Sequence, residues 1–142
     1  MREVIAKKHK ASGIIYFVVT LFGLGLTTAG AFFEEALIFI FALIFTVISG
    51  YLFVLWVMLP EDIISIDNAK ELNLPHGKTI MISDVIDVSY SRATARGISY
   101  RWGRIKISTR LDEYKLDFVD DCENVSKRLT DMMYRAKYES ET

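Results

Sequence analysis

The sequence is poor in the side chains that crosslink a chain or hold a metal ion. Cys122 is the single cysteine, so no internal disulfide can form, and a lone thiol suits a reducing compartment. The two histidines, His9 and His76, are far apart in sequence. This argues against a structural metal site, which gathers several Cys or His ligands. We therefore expect neither a disulfide framework nor a bound metal or other cofactor.

Charge is missing from two long stretches, 11–33 and 36–59, which contain no Lys, Arg, Asp or Glu. Each has about 23 residues, and a helix needs about 20 apolar residues to cross a bilayer. Only Glu34 and Glu35 separate the two stretches, so the pattern predicts a helical hairpin in a membrane. Because no ionisable residue lies inside either stretch, we do not expect a channel or a transporter.

The charged residues divide the chain into three parts: a basic arm at 1–10, the hairpin at 11–59 and a charged part at 60–142. The arm and the last part are rich in Lys and Arg, whereas the Glu34–Glu35 link has neither. The positive-inside rule then places both termini in the cytoplasm. Tyr16 and Trp56 would both lie at the cytoplasmic headgroup level, where amphipathic rings settle. We expect a multi-pass protein of the plasma (inner) membrane.

An alternative interpretation makes the first apolar stretch a cleaved signal peptide. The basic arm, the apolar residues 14–26 and the Ala29-Gly30-Ala31 sequence all fit that pattern. The apolar stretch is longer than the usual signal-peptide core, which favours an uncleaved first span. Even after cleavage, the second span would keep the C-terminal part on the inside.

Small residues predict where the two membrane helices pack, because helices in lipid associate by close approach. Ala42, Thr46 and Gly50 recur every four residues along the second helix, and Gly25 and Ala29 form a shorter pair on the first. The simplest interpretation is that these faces hold the hairpin together. The alternative is that one of them docks the helix of a partner or of a second copy.

Beyond Pro60 the apolar spacing changes to every second residue, and many of the apolar residues are β-branched or aromatic. This pattern predicts about six short strands joined by tight turns. The predicted strands centre on 64–66, 72–74, 80–82, 85–90, 102–108 and 114–118. A final amphipathic helix, capped by Asp120 and Asp121, carries Leu129 and Met133 on its apolar face. We expect a small α+β domain, an antiparallel sheet or open barrel closed by one helix.

Three segments with apolar alternation follow one another in this part: ISDVIDV at 82–88, GRIKIST at 103–109 and YKLDFV at 114–119. Together with the two-helix hairpin and the acid-capped last helix, they resemble the bacterial pleckstrin-homology-like (PH-like) membrane proteins. The resemblance covers roughly residues 63–136 and the anchor. It implies a split, strongly bent barrel of antiparallel strands capped by a C-terminal helix. It implies no enzymatic activity and carries over no binding residue.

The segment between Asp87 and Asp112 holds six basic residues and no acid, with aromatic residues interleaved. The candidates for contact with an anionic surface are Arg92, Arg96, Arg101, Trp102 and Arg104. On a membrane-tethered domain, each basic residue near anionic headgroups contributes about 1 kcal/mol. The alternatives are a protein partner, or a solvated loop that follows the cytoplasmic charge bias. The near-neutral domain argues against nucleic acid.

No group of residues in the sequence suggests catalysis. Asp84 and Asp87 would face opposite sides of an extended strand, and Gly97 and Gly103 have neither Walker nor Rossmann spacing. We therefore expect a non-catalytic adaptor that binds membrane lipids, a membrane protein or a second copy, and takes no small-molecule substrate. The alternative is an accessory subunit of a larger membrane complex, bound through its helices.

Overall fold

The computed structural model describes residues 2–68 and 70–140, and the chain divides into two compact units. One is the hairpin unit, Lys10–Leu59. The other, which we call the sheet unit, combines Met1–His9 with Pro60–Thr142. The hairpin unit is therefore an insertion into the sequence of the sheet unit.

The two charge-free stretches form two long helices, α1 (Lys10–Phe32) and α2 (Ala36–Met58). Both are long enough and apolar enough to cross a membrane. Most of their large apolar side chains are exposed, with only 11% of each most apolar window buried. A core helix of a soluble protein would bury that surface, because exposing so much apolar area to water is unfavourable. The predicted helical hairpin is confirmed.

The helices of the hairpin pack along a seam that repeats about every 3.5 residues, as in an antiparallel coiled coil. Buried or half-buried seam positions are 13, 16, 20, 23, 27 and 30 on α1, and 39, 42, 46, 49, 53 and 56 on α2. Hydroxyl groups meet across this seam. The Thr20 Oγ1 donates to Ser49 Oγ at 3.2 Å, and the Thr27 and Thr46 hydroxyls lie 3.5 Å apart. Such bonds satisfy the hydroxyl groups of two otherwise apolar helices.

The small residues predicted to form this seam are used only in part. Ala42 is buried, Thr46 lies in the seam, and Gly50 is half-buried near Thr20. Gly25 does not pack the hairpin, contrary to the prediction, because it is exposed and a Cβ there would meet no atom within 4 Å. Ala29 is half-buried. The close approaches on α1 are at Gly13, Gly23 and Gly30. Gly25 lies two residues from the seam positions 23 and 27, about 200° around the helix from each, and is therefore on the opposite side of α1.

We expect Gly30→Leu to destabilise the hairpin by about 2 kcal/mol, because added side-chain volume at a close helix contact forces the helices apart. A Cβ at Gly30 would come within 2.9 Å of the Phe39 backbone nitrogen and 3.0 Å of its Cα. Gly25→Leu adds the same volume where there is open space and is the matched control. Thermal unfolding in detergent should separate the two variants. Equal melting temperatures would contradict this packing.

The sheet unit consists of two antiparallel sheets and one helix. The first sheet has the order β1 (Arg2–Lys7), β2 (Asp62–Asp67), β3 (Glu71–Leu74) and β4 (Lys78–Met81). The second has β5 (Val85–Ala95), β6 (Ile98–Thr109) and β7 (Glu113–Val119), and helix α3 (Cys122–Ser140) follows. A small α+β domain with the six predicted strands after Pro60 is confirmed.

The strand that the sequence analysis did not foresee is β1, which the basic arm forms. It pairs antiparallel with β2 and ends with Lys7 opposite Asp62. Ile5 and Ala6 are buried in the core, 8% and 1% exposed. Apolar residues at only a few positions among charged ones give too short an alternation to indicate a strand. Both ends of the hairpin unit are thus continuous with neighbouring strands of one sheet.

A single hydrophobic core joins the two sheets and α3. Its fully buried side chains include Ile63, Ile64, Leu72, Ile105, Ile107, Val119 and Cys122. The sheets meet where β1 ends: Lys8 bridges Val119, and the Asp120 N–H donates to the Lys7 carbonyl at 2.9 Å. From α3, Leu129 and Met133 close the core, as their helical spacing predicts.

Candidate functional site

The candidate arginines lie on and beside a long β-ribbon made by β5 and β6. Arg96 and Gly97 form its two-residue turn, and both have positive φ, 49° and 80°. This is the conformation of a tight hairpin turn, and glycine adopts it without strain. The pairing of β6 with β7 begins only at Gly103. Residues 93–102, which we call the ribbon tip, therefore pair with each other and with no third strand.

Three of the predicted arginines are paired with acids that the sequence pattern did not connect to them. Arg92 contacts Glu123, Arg101 Nη2 lies 3.3 Å from Asp121 Oδ2, and Arg104 contacts Asp117. The hydrogen bond and charge of Asp117 raise the pKa of Arg104. These acids come from β7 and the start of α3, so the acid-free segment is neutralised by its neighbours in space. Exposed pairs of this kind add little stability and are screened by salt.

Arg96 differs from the other three because it lies at the turn of the ribbon tip. It forms no ion pair with any residue in the described ranges 2–68 and 70–140. Two large apolar or aromatic side chains stand exposed beside it: Ile98 at 62% and Tyr100 at 40%. Sequence reasoning missed Ile98. An isoleucine directly after an Arg-Gly turn could have been recognised as an exposed apolar residue, because such turns lie on the surface. The tip combines one unpaired cation with apolar surface.

Trp102 lies at the base of the ribbon tip in a stack of rings rather than on open surface. Its ring centroid is 5.6 Å from that of His9 and 6.2 Å from that of Phe118, with interplanar angles of 14° and 25°. The ring of Tyr100 lies 6.2 Å away on the ribbon. His9 Nδ1 is 3.0 Å from Asp120 Oδ1. The stack fixes the ribbon against the segment that leads into α1, so Trp102 is a structural support of the site.

Cys122 is fully buried at the start of α3, and its Sγ lies 3.5 Å from the Arg101 carbonyl oxygen. Burial raises the pKa of this thiol above its ordinary value. A buried thiol with a raised pKa holds little thiolate, the form that reacts. The residue is therefore suited to packing and not to nucleophilic chemistry.

We expect Cys122 to resist alkylation by iodoacetamide in the folded protein and to react fully once the chain is unfolded in urea. Thiolate availability and access both rise on unfolding, so the rate should increase by more than about a hundredfold. Mass spectrometry of the single thiol measures this directly. Rapid labelling of the native protein would contradict the burial, and a Ser99→Cys variant supplies an exposed thiol for comparison.

No group of three or more His, Cys, Asp or Glu residues suited to a metal ion occurs among the residues that the structure describes. No family model, curated protein or solved structure matches this chain.

Proposed function

We propose that this chain is a non-catalytic, PH-like binding module held at the inner face of the membrane, where its ribbon tip contacts anionic headgroups. The observation that carries the proposal is the position of the hairpin unit. It leaves the sheet unit after β1 and returns at β2, and Lys7 and Asp62 are paired across those strands. A hairpin that spans the bilayer would thus tether the sheet unit at both ends.

The strand order supports the PH-like interpretation. The resemblance implies a bent barrel of antiparallel strands capped by a C-terminal helix. A four-stranded sheet, a three-stranded sheet and α3 follow one another in that order, and the Lys8–Val119 bridge joins the two sheets at one corner. The hairpin unit then occupies the connection between the first two strands of the barrel.

The same connectivity supports a topology with both termini on one side. Because β1 and β2 pair, a hairpin that spans the membrane would return the C-terminal part to the side of the basic arm. Both are rich in Lys and Arg, which favours the cytoplasmic side. The pairing of β1 with β2 also argues against the signal-peptide alternative. Cleavage after the first apolar stretch would remove β1 with its buried Ile5 and Ala6.

The ribbon tip has the composition of a surface that meets anionic headgroups. Arg96 can approach a phosphate without first giving up an acidic partner, while Ile98 and Tyr100 offer apolar surface to the headgroup boundary. Arg92, Arg101 and Arg104 would first have to leave their carboxylate partners in the sheet unit before they could bind a lipid phosphate. We therefore assign the contact to Arg96 and its two exposed neighbours.

We expect Arg96→Asp to weaken contact between the ribbon tip and anionic lipid, because it replaces an attraction of about 1 kcal/mol with a repulsion. Aspartate is chosen since it tolerates positive φ better than most residues. The measurement is the emission of an environment-sensitive dye on Ser99→Cys in full-length protein. Nanodiscs with and without anionic lipid are compared at low and high salt.

The matched control is Arg110→Asp. Arg110 is also exposed and unpaired within the described part of the chain, but lies at the opposite end of β6, beside Leu111, which is 94% exposed. A dye on Leu111→Cys reports on that end. Equal dye emission in anionic and neutral nanodiscs, or equal effects of the two Asp variants, would contradict the proposed lipid contact.

The accessory-subunit alternative predicts a different result from co-purification in mild detergent. A protein partner retained by both Arg96→Asp and Ile98→Ser would favour binding through the helices. Reversing the charge of Arg92, Arg101 and Arg104 is a poorer test than Arg96→Asp, because it breaks three ion pairs within the sheet unit. Leucine at Ala42 or Thr46 would equally disturb the seam of the hairpin itself.

A further inference from the structure

A second surface feature lies away from the ribbon, between the last turns of α3 and the first sheet. It is a cavity of about 770 Å³, within the range of about 300–1,000 Å³ that is typical of small-molecule sites. The side chains that matter most for its chemistry are Ile66, Lys70, Ile82, Met132, Arg135 and Ala136. None of them belongs to β5, β6 or β7.

The cavity has one apolar side, which the helix sequence explains. Leu129 and Met133 fill the core from α3, and Ala136 occupies the next position on the same face. Met81, which is 53% exposed, lines the cavity from β4, whereas Ile66 and Ile82 belong to the buried core beside it and are only 4% and 3% exposed. A larger residue at position 136 would project into the cavity.

Two cations border this apolar space. Lys70 is held beside Ile82, because its backbone carbonyl accepts the Ile82 N–H at 2.9 Å. Arg135 lines the cavity from α3, and neither cation forms an ion pair with any residue of the ranges 2–68 and 70–140. Of the two acids that also line the cavity, Glu3 contacts Arg128, while Glu139 stands one turn beyond Arg135.

We infer that this cavity binds an aliphatic carboxylate, with the chain against Met81, Met132 and Ala136 and the carboxylate between Lys70 and Arg135. An apolar side next to two cations is complementary to a molecule that has an apolar body and one anionic end. Met81 and Met132 line the cavity as well, and their flexible thioethers adapt to chains of different length. Glu139 opposes the carboxylate and lowers its affinity.

Octanoate is the probe, titrated into full-length protein in zwitterionic nanodiscs and followed by NMR of ¹³C-methyl-labelled methionine. The expected result is saturable shifts of the Met81 and Met132 methyl signals. Met133, which is 5% exposed in the core, and Met58, in α2, serve as internal references. Shifts confined to Met58 would mean that octanoate only enters the lipid, and would overturn the inference.

Variants test the two halves of the site separately. The double variant Lys70→Gln and Arg135→Gln is expected to weaken octanoate binding by about tenfold, and Glu139→Gln to strengthen it by about threefold. Arg110→Gln removes a cation that does not line the cavity; it is the matched control and should change octanoate binding by less than about twofold. Octanol, with the same chain and no charge, should bind the original protein more weakly than octanoate. Equal binding of octanol and octanoate, insensitive to these charges, would overturn the carboxylate assignment.

Narrowing the cavity is the remaining test. Ala136→Leu is expected to weaken octanoate binding by about tenfold, because the leucine side chain projects into the space that the aliphatic chain occupies. Unchanged Met133 signals would show that this variant is folded. If it fails to fold, Ala136→Val makes the same test with less added volume. Full octanoate affinity in a folded Ala136 variant would overturn the location of the site.

Discussion

Deleting residues 2–7 is expected to unfold the sheet unit, although the deletion leaves six of its seven strands and α3 intact. The lost strand contributes the buried Ile5 side chain, worth about 2 kcal/mol. It also contributes the backbone hydrogen bonds to β2, each worth about 1 kcal/mol net. The free energy of unfolding of a small domain is only about 5–15 kcal/mol. The loss of β1 is therefore comparable to the total stability of the sheet unit.

The measurement compares two shortened chains that lack the hairpin unit, by circular dichroism and NMR. Residues 60–142 alone should lack dispersed signals and cooperative melting. Joining His9 to Pro60 through a Gly/Ser linker of about four residues should restore both, because Lys7 and Asp62 are already cross-strand partners and a hairpin loop of that length closes neighbouring strands. Cooperative melting of 60–142 alone would contradict the role of β1.

Gly103→Ala is expected to destabilise the sheet unit by about 3 kcal/mol, and Gly103→Val to prevent folding, because a side chain there collides with backbone that cannot move aside. Gly103 pairs with Arg92, and a Cβ would come to 2.8 Å from the Arg92 Cα and closer still to the Ser91 carbonyl oxygen. The glycine is required here for space and not for an unusual φ.

Gly97→Asn is the control for this prediction, because it changes a glycine of the same ribbon with nothing within 4 Å of an added Cβ. Asparagine tolerates positive φ, so the cost should stay below about 1 kcal/mol. Urea unfolding followed by alkylation of Cys122 measures both variants on one scale. A Gly103→Ala variant as stable as Gly97→Asn would show that the two strands separate there at little cost.

The parts of the fold that were predictable from sequence are those with a long or regular signal. Two runs of about 23 apolar residues leave few alternatives to a helical hairpin, and alternation after Pro60 indicated all six strands. Strand β1 was not predictable, because its three apolar residues are consecutive and flanked by charged ones, so they show no alternation. Its partner is β2, and a sequence pattern does not show pairing between strands that residues 8–61 separate.

The candidate site shows the same limit. The basic residues of β5 and β6 are visible in the sequence, but Asp117, Asp121 and Glu123, which neutralise three of them, come from later elements. Only the three-dimensional structure distinguishes Arg96 from Arg92. The cavity was hidden for a similar reason: an alanine at position 136 of an amphipathic helix looks like an ordinary core residue until the space opposite it is known.

The placement of the hairpin unit between β1 and β2 has a consequence for biosynthesis. Strand β1 emerges from the ribosome before β2, and about 50 residues must be added before its partner follows, roughly 3–10 s at ordinary rates of synthesis. In the proposed topology, a chain that inserts only one of its two helices leaves β1 and β2 on opposite sides of the bilayer. That chain cannot complete its first sheet. Folding of the sheet unit would therefore act as a check on membrane insertion, and chains with the wrong topology would stay unfolded and open to proteolysis.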